Sequence, residues 1–226
     1  MLKYRGILFA TGIILLWCLS LALMLSLPVT AFAWWILPLV LLQTHLYTGI
    51  FITAHDAMHG TVATNKTVNN AYGWICAALF AFNYYPRLFS KHHEHHRFVA
   101  TAKDPDYYKG NFIQWYFSFL KNYLSIWQVL IMAVAFNLLL LFVPQVNLLL
   151  FWILPSLLST LQLFYFGTYL PHKGEFPVSN KHHASSQPRN HVLAFITCYF
   201  FGYHYEHHDS PGTPWWRLYQ RKPGSG

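Results

Sequence analysis

Charge is what this chain has least of. Only 10% of its 226 residues are Asp, Glu, Lys or Arg, against roughly 25% in ordinary soluble domains. Apolar residues make up 55% and aromatics 19%, and several uncharged runs reach the ~20 residues a spanning helix needs. This points away from a soluble fold and to an all-α integral membrane protein, one membrane-embedded domain over residues 1–226 with no soluble appendage. Cysteine is scarce too: Cys18, Cys76 and Cys198 are scattered, which excludes a disulfide framework and a zinc–thiolate site and leaves them as small buried hydrophobes. The formal charge of +8 comes from basic residues flanking apolar runs, as the positive-inside effect produces. No basic groove interleaved with aromatics is visible, so nucleic acid is not an expected partner.

The apolar runs arrange themselves as two hairpins. Ile7 to Leu27 carries no charge and follows Lys3 and Arg5, which puts the N-terminus in the cytoplasm; the run is long enough to span rather than be a cleavable leader. After a short turn over Pro28 to Phe32, a second helix is expected from Ala33 to His59, about 40 Å long and so longer than the hydrocarbon core of about 30 Å. No Lys, Arg, Asp or Glu occurs from Asn122 to His172. That stretch breaks at Pro144-Gln-Val-Asn147, giving Leu124 to Val143 outward and Leu148 to Tyr169 back, with a kink expected at Pro155. Asn70 to Tyr85 and Val192 to Tyr203 are too short to span and read as re-entrant or interfacial. The chain has no internal repeat of fixed period, and Lys222 to Gly226 reads as a frayed end.

What is abundant is histidine. Fourteen are present, and most fall into three tight clusters: His55-Asp-Ala-Met-His59, His92-His-Glu-His95-His96 and His204-Tyr-Glu-His207-His208. On a helix, positions i, i+3 and i+4 share a face. His55 with His59, His92 with His95 and His96, and His204 with His207 and His208 therefore each present imidazoles together. The two hairpins carry all three clusters to one side, the cytoplasmic face of the membrane. Eight imidazoles are too many for one tetrahedral zinc ion and suit two metals with open positions; without thiolates, iron, copper, nickel and zinc all stay open. His172, ending the last spanning helix at the depth where the clusters meet, is expected as a ninth ligand, with His182 its rival. His93 lies about 100° off the shared face and is left out. His45, inside the second helix, suits a helix–helix hydrogen bond, and His191 a surface position.

Carboxylates are the other scarce group: Asp56, Glu94, Asp104, Asp106, Glu175, Glu206 and Asp209 are the only ones, all near histidine-bearing segments. A ligating imidazole usually donates its second ring N–H to a carboxylate or carbonyl. Asp56, Glu94 and Glu206 are candidates for that role, or simply acids in the only wet part of the chain; Asp104 and Asp106 join the candidates. An imidazole-rich two-metal site at a membrane face suggests oxygen activation on an apolar substrate, because breaking an unactivated or allylic C–H bond needs a stronger oxidant than any side chain. A membrane metal transporter is the reading from a different class, but transporters place ligands near the bilayer midplane, where this chain has only His45. Trp74, Tyr84, Phe164 and Tyr165 are candidate substrate linings, or ordinary membrane aromatics.

The three clusters resemble the histidine boxes of the membrane fatty-acid desaturase and hydroxylase superfamily, HxxxH or HxxxxH, HxxHH and HxxHH. Finer strings resemble the bacterial and cyanobacterial β-carotene ketolase family: Ile52-Thr-Ala-His-Asp-Ala-Met-His-Gly60, Lys91-His-His-Glu-His-His-Arg97, Asp104-Pro-Asp106, Phe166-Gly-Thr-Tyr-Leu-Pro-His172, Phe201-Gly-Tyr-His-Tyr-Glu-His-His208 and Pro214-Trp-Trp-Arg-Leu218. The resemblance runs from about residue 5 to 220. It implies a non-haem di-iron oxygenase that turns the C4 methylene of β-ionone rings into a ketone, taking β-carotene to echinenone and canthaxanthin with O2 and electrons from a ferredoxin. By it, the eight box histidines are iron ligands and His172 matches the superfamily's extra histidine. A carotenoid ring hydroxylase or a lipid desaturase is the alternative within the same chemistry. Phe200 stands where many ketolases carry histidine; it precedes the box, so the departure bears on substrate preference rather than ligation.

Overall fold

The computed structural model describes residues 4–29 and 33–222, and every regular element among them is helical. Lys3, residues 30–32 of the expected first turn and the tail beyond Lys222 lie outside the described residues. Three helices are long and apolar enough to cross a membrane: α1 (Arg5–Leu25), α2 (Ile36–Met58) and α7 (Gln145–His172). Between α2 and α7 come α3 (Lys66–Leu79), α4 (Tyr85–Phe98), α5 (Phe112–Tyr123) and α6 (Ile126–Leu139). Short helices α8 (His191–Cys198), α9 (His204–Asp209) and α10 (Trp215–Leu218) follow.

α2 is the centre of the bundle. From Gln43 to Met58 nearly every residue is buried, and the run is built from small and hydroxylic residues that allow close approach. A side chain at Gly49 would collide with the Tyr199 ring. Thr44 and Thr53 return their hydroxyl protons to carbonyls one turn back (2.8 Å each), which satisfies them inside hydrocarbon. Polar links then join the spans. Ser20 donates to Gln43 (2.5 Å), and Thr48 bonds Ser159 (2.9 Å) and Gln162 (2.5 Å) on α7. At the end of α1, the Asn147 amide donates to the carbonyls of Met24, Leu25 and Leu27 (3.0, 3.3 and 2.8 Å), which a helix C-terminus otherwise leaves unpaired. The opposite face of α1, including Leu8, Leu15, Leu19 and Leu23, is exposed and suits acyl chains.

Three expectations need correction. The expected outward span from Leu124 to Val143 is helical only over α6, Ile126–Leu139. α5 and α6 are bent by 83° at the Leu124–Ser125 junction, and α6 has 14 residues, about 21 Å at 1.5 Å per residue. A capping box sets its start: the Ser125 hydroxyl accepts from the Gln128 backbone N–H while the Gln128 side chain accepts from the Ser125 backbone N–H, close to the expected Leu124. Second, the helix departs from α geometry ahead of Pro155. A π turn at Leu149–Ile153 directly precedes it, and another at Tyr165–Tyr169 precedes Pro171. The wider turns accommodate the missing N–H groups and leave one long helix. Third, α2 spans Ile36–Met58, about 35 Å, with His59 as its C-cap rather than its last helical residue.

Replacing Asn147 with Ala removes the tie between α1 and α7. We expect a loss of about 1–2 kcal/mol, read as a lower thermal midpoint in detergent with bound metal unchanged; an unaltered midpoint would contradict the tie.

Candidate metal centre

All nine histidines expected as ligands converge at one end of the bundle. They sort into two groups, each with its nitrogens within 4.8 Å of one another: His55, His59, His92, His96 and His207 form one, and His95, His172, His204 and His208 the other. α2 supplies His55 and its C-cap His59, and α7 supplies His172 from its last turn. α4 and α9 each serve both groups. His92 and His96, at i and i+4, face the first group while His95 turns to the second. On α9, His204 and His208 face the second while His207 turns to the first. The expectation that each box presents one shared face is therefore too coarse: adjacent residues differ by about 100°, and HxxHH uses that angle to bridge two sites.

The ring nitrogens come close enough for each group to hold one ion. Nε2 atoms lie 2.6 Å apart between His59 and His92, 3.0 Å between His96 and His207, 3.0 Å between His172 and His204, 3.0 Å between His204 and His208, and 3.1 Å between His95 and His208. Two nitrogens bound at right angles to one ion at about 2.1 Å would be about 3 Å apart. The tautomers agree. His172 Nδ1 faces the His183 carbonyl at 2.8 Å, and a carbonyl only accepts, so the proton sits on Nδ1 and the Nε2 lone pair points inward. His55 Nε2 is buried with no hydrogen-bond partner in the protein, as a metal-directed nitrogen would be.

Electrostatics keep most of these rings neutral. Burial, reinforced by neighbouring imidazoles, holds His92, His204, His207 and His208 well below the usual histidine range. It lowers His59 to about 4 and His96 to about 2, so all six offer lone pairs at neutral pH. His95 differs: burial opposes its charge, but Asp106 and Asp104 outweigh burial and raise it, the sense that strengthens a donor imidazole.

Of the five carboxylates expected to hold ligating rings, only Asp104 hydrogen-bonds one, accepting from His95 Nδ1 at 2.8 Å. Asp106 lies 3.8 Å from the same nitrogen and accepts from the Tyr123 hydroxyl. Asp56 lies 3.9 Å from His55 Nδ1 and instead accepts the Trp215 backbone N–H at 3.2–3.3 Å, tying α2 to α10. Glu94 is turned outward to Ser90 (3.0 Å) and Lys91 (3.5 Å), and Glu206 accepts from Ser186 and from Lys222 (3.1 Å). Glu94 and Glu206 thus point away from the histidines beside them in sequence, Asp56 stays near His55 but bonds Trp215, and the acids nearest His95 come from a separate loop.

The remaining histidines stay outside both groups. His93 Nδ1 donates to the Phe89 carbonyl (2.9 Å), and His182 lies 3.5 Å from Asp209. His191 pairs with the Tyr203 hydroxyl at 3.0 Å rather than standing free at the surface. His45 stacks on Tyr199 at 4.3 Å and hydrogen-bonds the Ile196 backbone of α8, the helix–helix contact expected there, while its Nδ1 has no hydrogen-bond partner. Three contributors carried no signal recognised in the sequence: the His183 carbonyl, Tyr123 and Phe201. Phe201 packs on His55 (4.7 Å), His204 (5.1 Å) and His207 (5.4 Å), and the space it occupies exists because residue 167 is glycine.

The fold and the site define a membrane-embedded protein with two clustered imidazole groups, and comparison with known proteins agrees. The fatty acid desaturase family profile matches residues 32–131 and 113–224. The chain is 45% identical over 184 residues to beta-carotene 4-ketolase 3 of Haematococcus lacustris, covering 76% of this chain and 58% of that protein. It is 39% identical over 217 residues to zeaxanthin 4-ketolase of Chlamydomonas reinhardtii (90% and 48%), and 38% identical over 188 residues to beta-carotene ketolase of Paracoccus sp. strain PC1 (81% and 77%). No solved structure matches it. The chain belongs to the fatty acid desaturase family and, within it, to the β-carotene ketolases; it spans about half to three fifths of the length of the algal relatives. Histidine groups in this family fit a non-haem iron site.

Removing a ligand should remove metal. His172→Ala and His204→Ala are expected to lower bound iron by about half or more, measured by elemental analysis of purified protein, whereas His93→Ala and His182→Ala should retain it. Full metal in His172→Ala would take His172 out of the second group.

Proposed function

We propose that this chain is a carotenoid oxygenase that converts the C4 methylene of β-ionone rings to a ketone, with one iron in each histidine group, O2 as co-substrate and electrons from a ferredoxin. One observation carries the reading. A cavity of about 400 Å3, walled largely by apolar residues such as Phe51, Phe80, Leu88, Phe119 and Leu163, ends on His55 and His92 of the first group and on His95 and His204 of the second. Its outer walls are Val129 and Met132 on α6 and Leu157 and Thr160 on α7, so an apolar molecule would enter sideways from the bilayer. The volume suits one ring and part of a polyene, within the usual range of ligand sites, with the rest of the chain left in lipid.

Iron bound by these groups would supply the O2-derived oxidant that an allylic C–H bond requires. The protein's own residues do the rest. Phe201 and the apolar wall exclude water and fix the ring against the histidine face. Asp104 holds the proton on His95 Nδ1, and the His183 carbonyl holds the one on His172 Nδ1, so both rings keep their Nε2 lone pairs directed inward. Two successive hydroxylations of the same carbon, each consuming one O2 and two electrons, give a geminal diol that loses water to the ketone. Two hairpins, α1 with α2 and α6 with α7, would put the clusters on the cytoplasmic face of one membrane-embedded domain. Arg5 at the start of α1, and Lys91, Arg97, Lys103 and Lys173 outside the spans, support that side.

Expression in a β-carotene-accumulating bacterium tests this directly. Chromatography with mass spectrometry should show rings that lose two hydrogens and gain one oxygen; rings that only gain oxygen would mean a hydroxylase, and unchanged pigment with iron-loaded protein would contradict a carotenoid substrate. Leu157→Trp, which narrows the cavity between α6 and α7, should cut ketone formation by roughly tenfold or more with iron content unchanged. Undiminished turnover would move the substrate path elsewhere.

A further inference from the structure

α6 has cavities on two sides. The second, of about 460 Å3, shares Asn83, Leu88, Tyr123 and Gln128 with the first and is otherwise lined from α3, the α3–α4 turn, α4 and the outer face of α6. Its chemistry is different. Arg87 is in its wall and donates from Nη2 to the Asn122 carbonyl at 2.9 Å. Among the described residues no carboxylate lies within ion-pair distance of that guanidinium, and no acid lines the cavity. Trp74, Tyr84 and Trp127, all exposed, stand around it. From there Trp127, Ile131, Val134 and Leu138 run along one face of α6 at helical spacing, and all four are exposed. The only buried residue of α6 is Gln128, so the helix that walls the substrate cavity is held by little protein.

We propose that this second cavity is a binding site for an anionic phospholipid. Its phosphate pairs with Arg87, whose planar fork matches phosphate oxygens. The aromatics take the interfacial level of the lipid, where tryptophan and tyrosine rings are most stable. One acyl chain lies along Trp127, Ile131, Val134 and Leu138. A positive site with no acid in its wall favours an anionic over a zwitterionic head. The bound lipid completes the packing of α6 and, through the shared Leu88, Tyr123 and Gln128, braces the wall of the cavity that ends on the histidines.

The test needs no turnover and so stands apart from the ketolase reading. Purified, delipidated protein in detergent is titrated with phosphatidylglycerol or phosphatidylcholine carrying brominated acyl chains, and tryptophan fluorescence is followed. We expect saturable quenching by phosphatidylglycerol at lower concentration than by phosphatidylcholine, a midpoint about fivefold higher in Arg87→Gln, and no displacement by equimolar inorganic phosphate. Trp127→Phe, which keeps a ring in place but removes a reporter, should reduce the quenching amplitude in a protein of wild-type helicity. Equal midpoints for the two lipids, an unshifted Arg87→Gln, an unchanged amplitude in Trp127→Phe, or displacement by phosphate would each overturn the site.

Discussion

The structure depends on burying many imidazoles together without charging them. A histidine beside hydrocarbon is costly while a ring nitrogen lacks a partner, and here nine rings are packed within reach of one another. Inward nitrogens that face each other at about 3 Å would be a defect unless lone pairs converged on shared cations. Outward nitrogens must then hold the protons, and at His95 and His172 an acceptor is supplied by Asp104 and by the His183 carbonyl. The surrounding fold can be understood as the means of delivering these rings. α2 and α7 bring histidines in their last turns, and two short amphipathic helices divide theirs between the groups.

Much of this was legible in the chain itself. The uncharged runs located α1, α2 and α7, and the spacing of the boxes picked out the eight converging histidines. His172 was found from its place at the end of a span. What stayed hidden has physical reasons. The early end of α6 at Leu139 falls inside a run whose hydropathy stays high through Val143, so residue type does not mark it. The partition of each HxxHH box between two groups depends on how helices pack, which periodicity alone does not supply. Glu94 and Glu206 stand beside histidines in sequence, yet the helix turns them to other partners. The His183 carbonyl is a backbone atom and leaves no mark on residue identity.

The same architecture sets the apolar cavity against both histidine groups. α7 carries two π turns, each just before a proline, and the second contains Gly167, the residue that admits Phe201 to the histidine face. α5 bonds the loop carrying Asp104 and Asp106 through Trp115 and Asn122, and through Phe119 and Leu120 it also walls the apolar cavity. Cavity shape and the support of His95 are therefore built on one element, so changes in either are expected to be felt by the other.

The most direct test of the central claim is iron K-edge X-ray absorption on purified protein whose metal content has been measured. Two histidine groups predict two irons per chain, a shell of nitrogen and oxygen scatterers at about 2.1 Å, and the outer-shell pattern of several imidazoles. A single iron per chain, or a sulfur shell from any of the three cysteines, would contradict it.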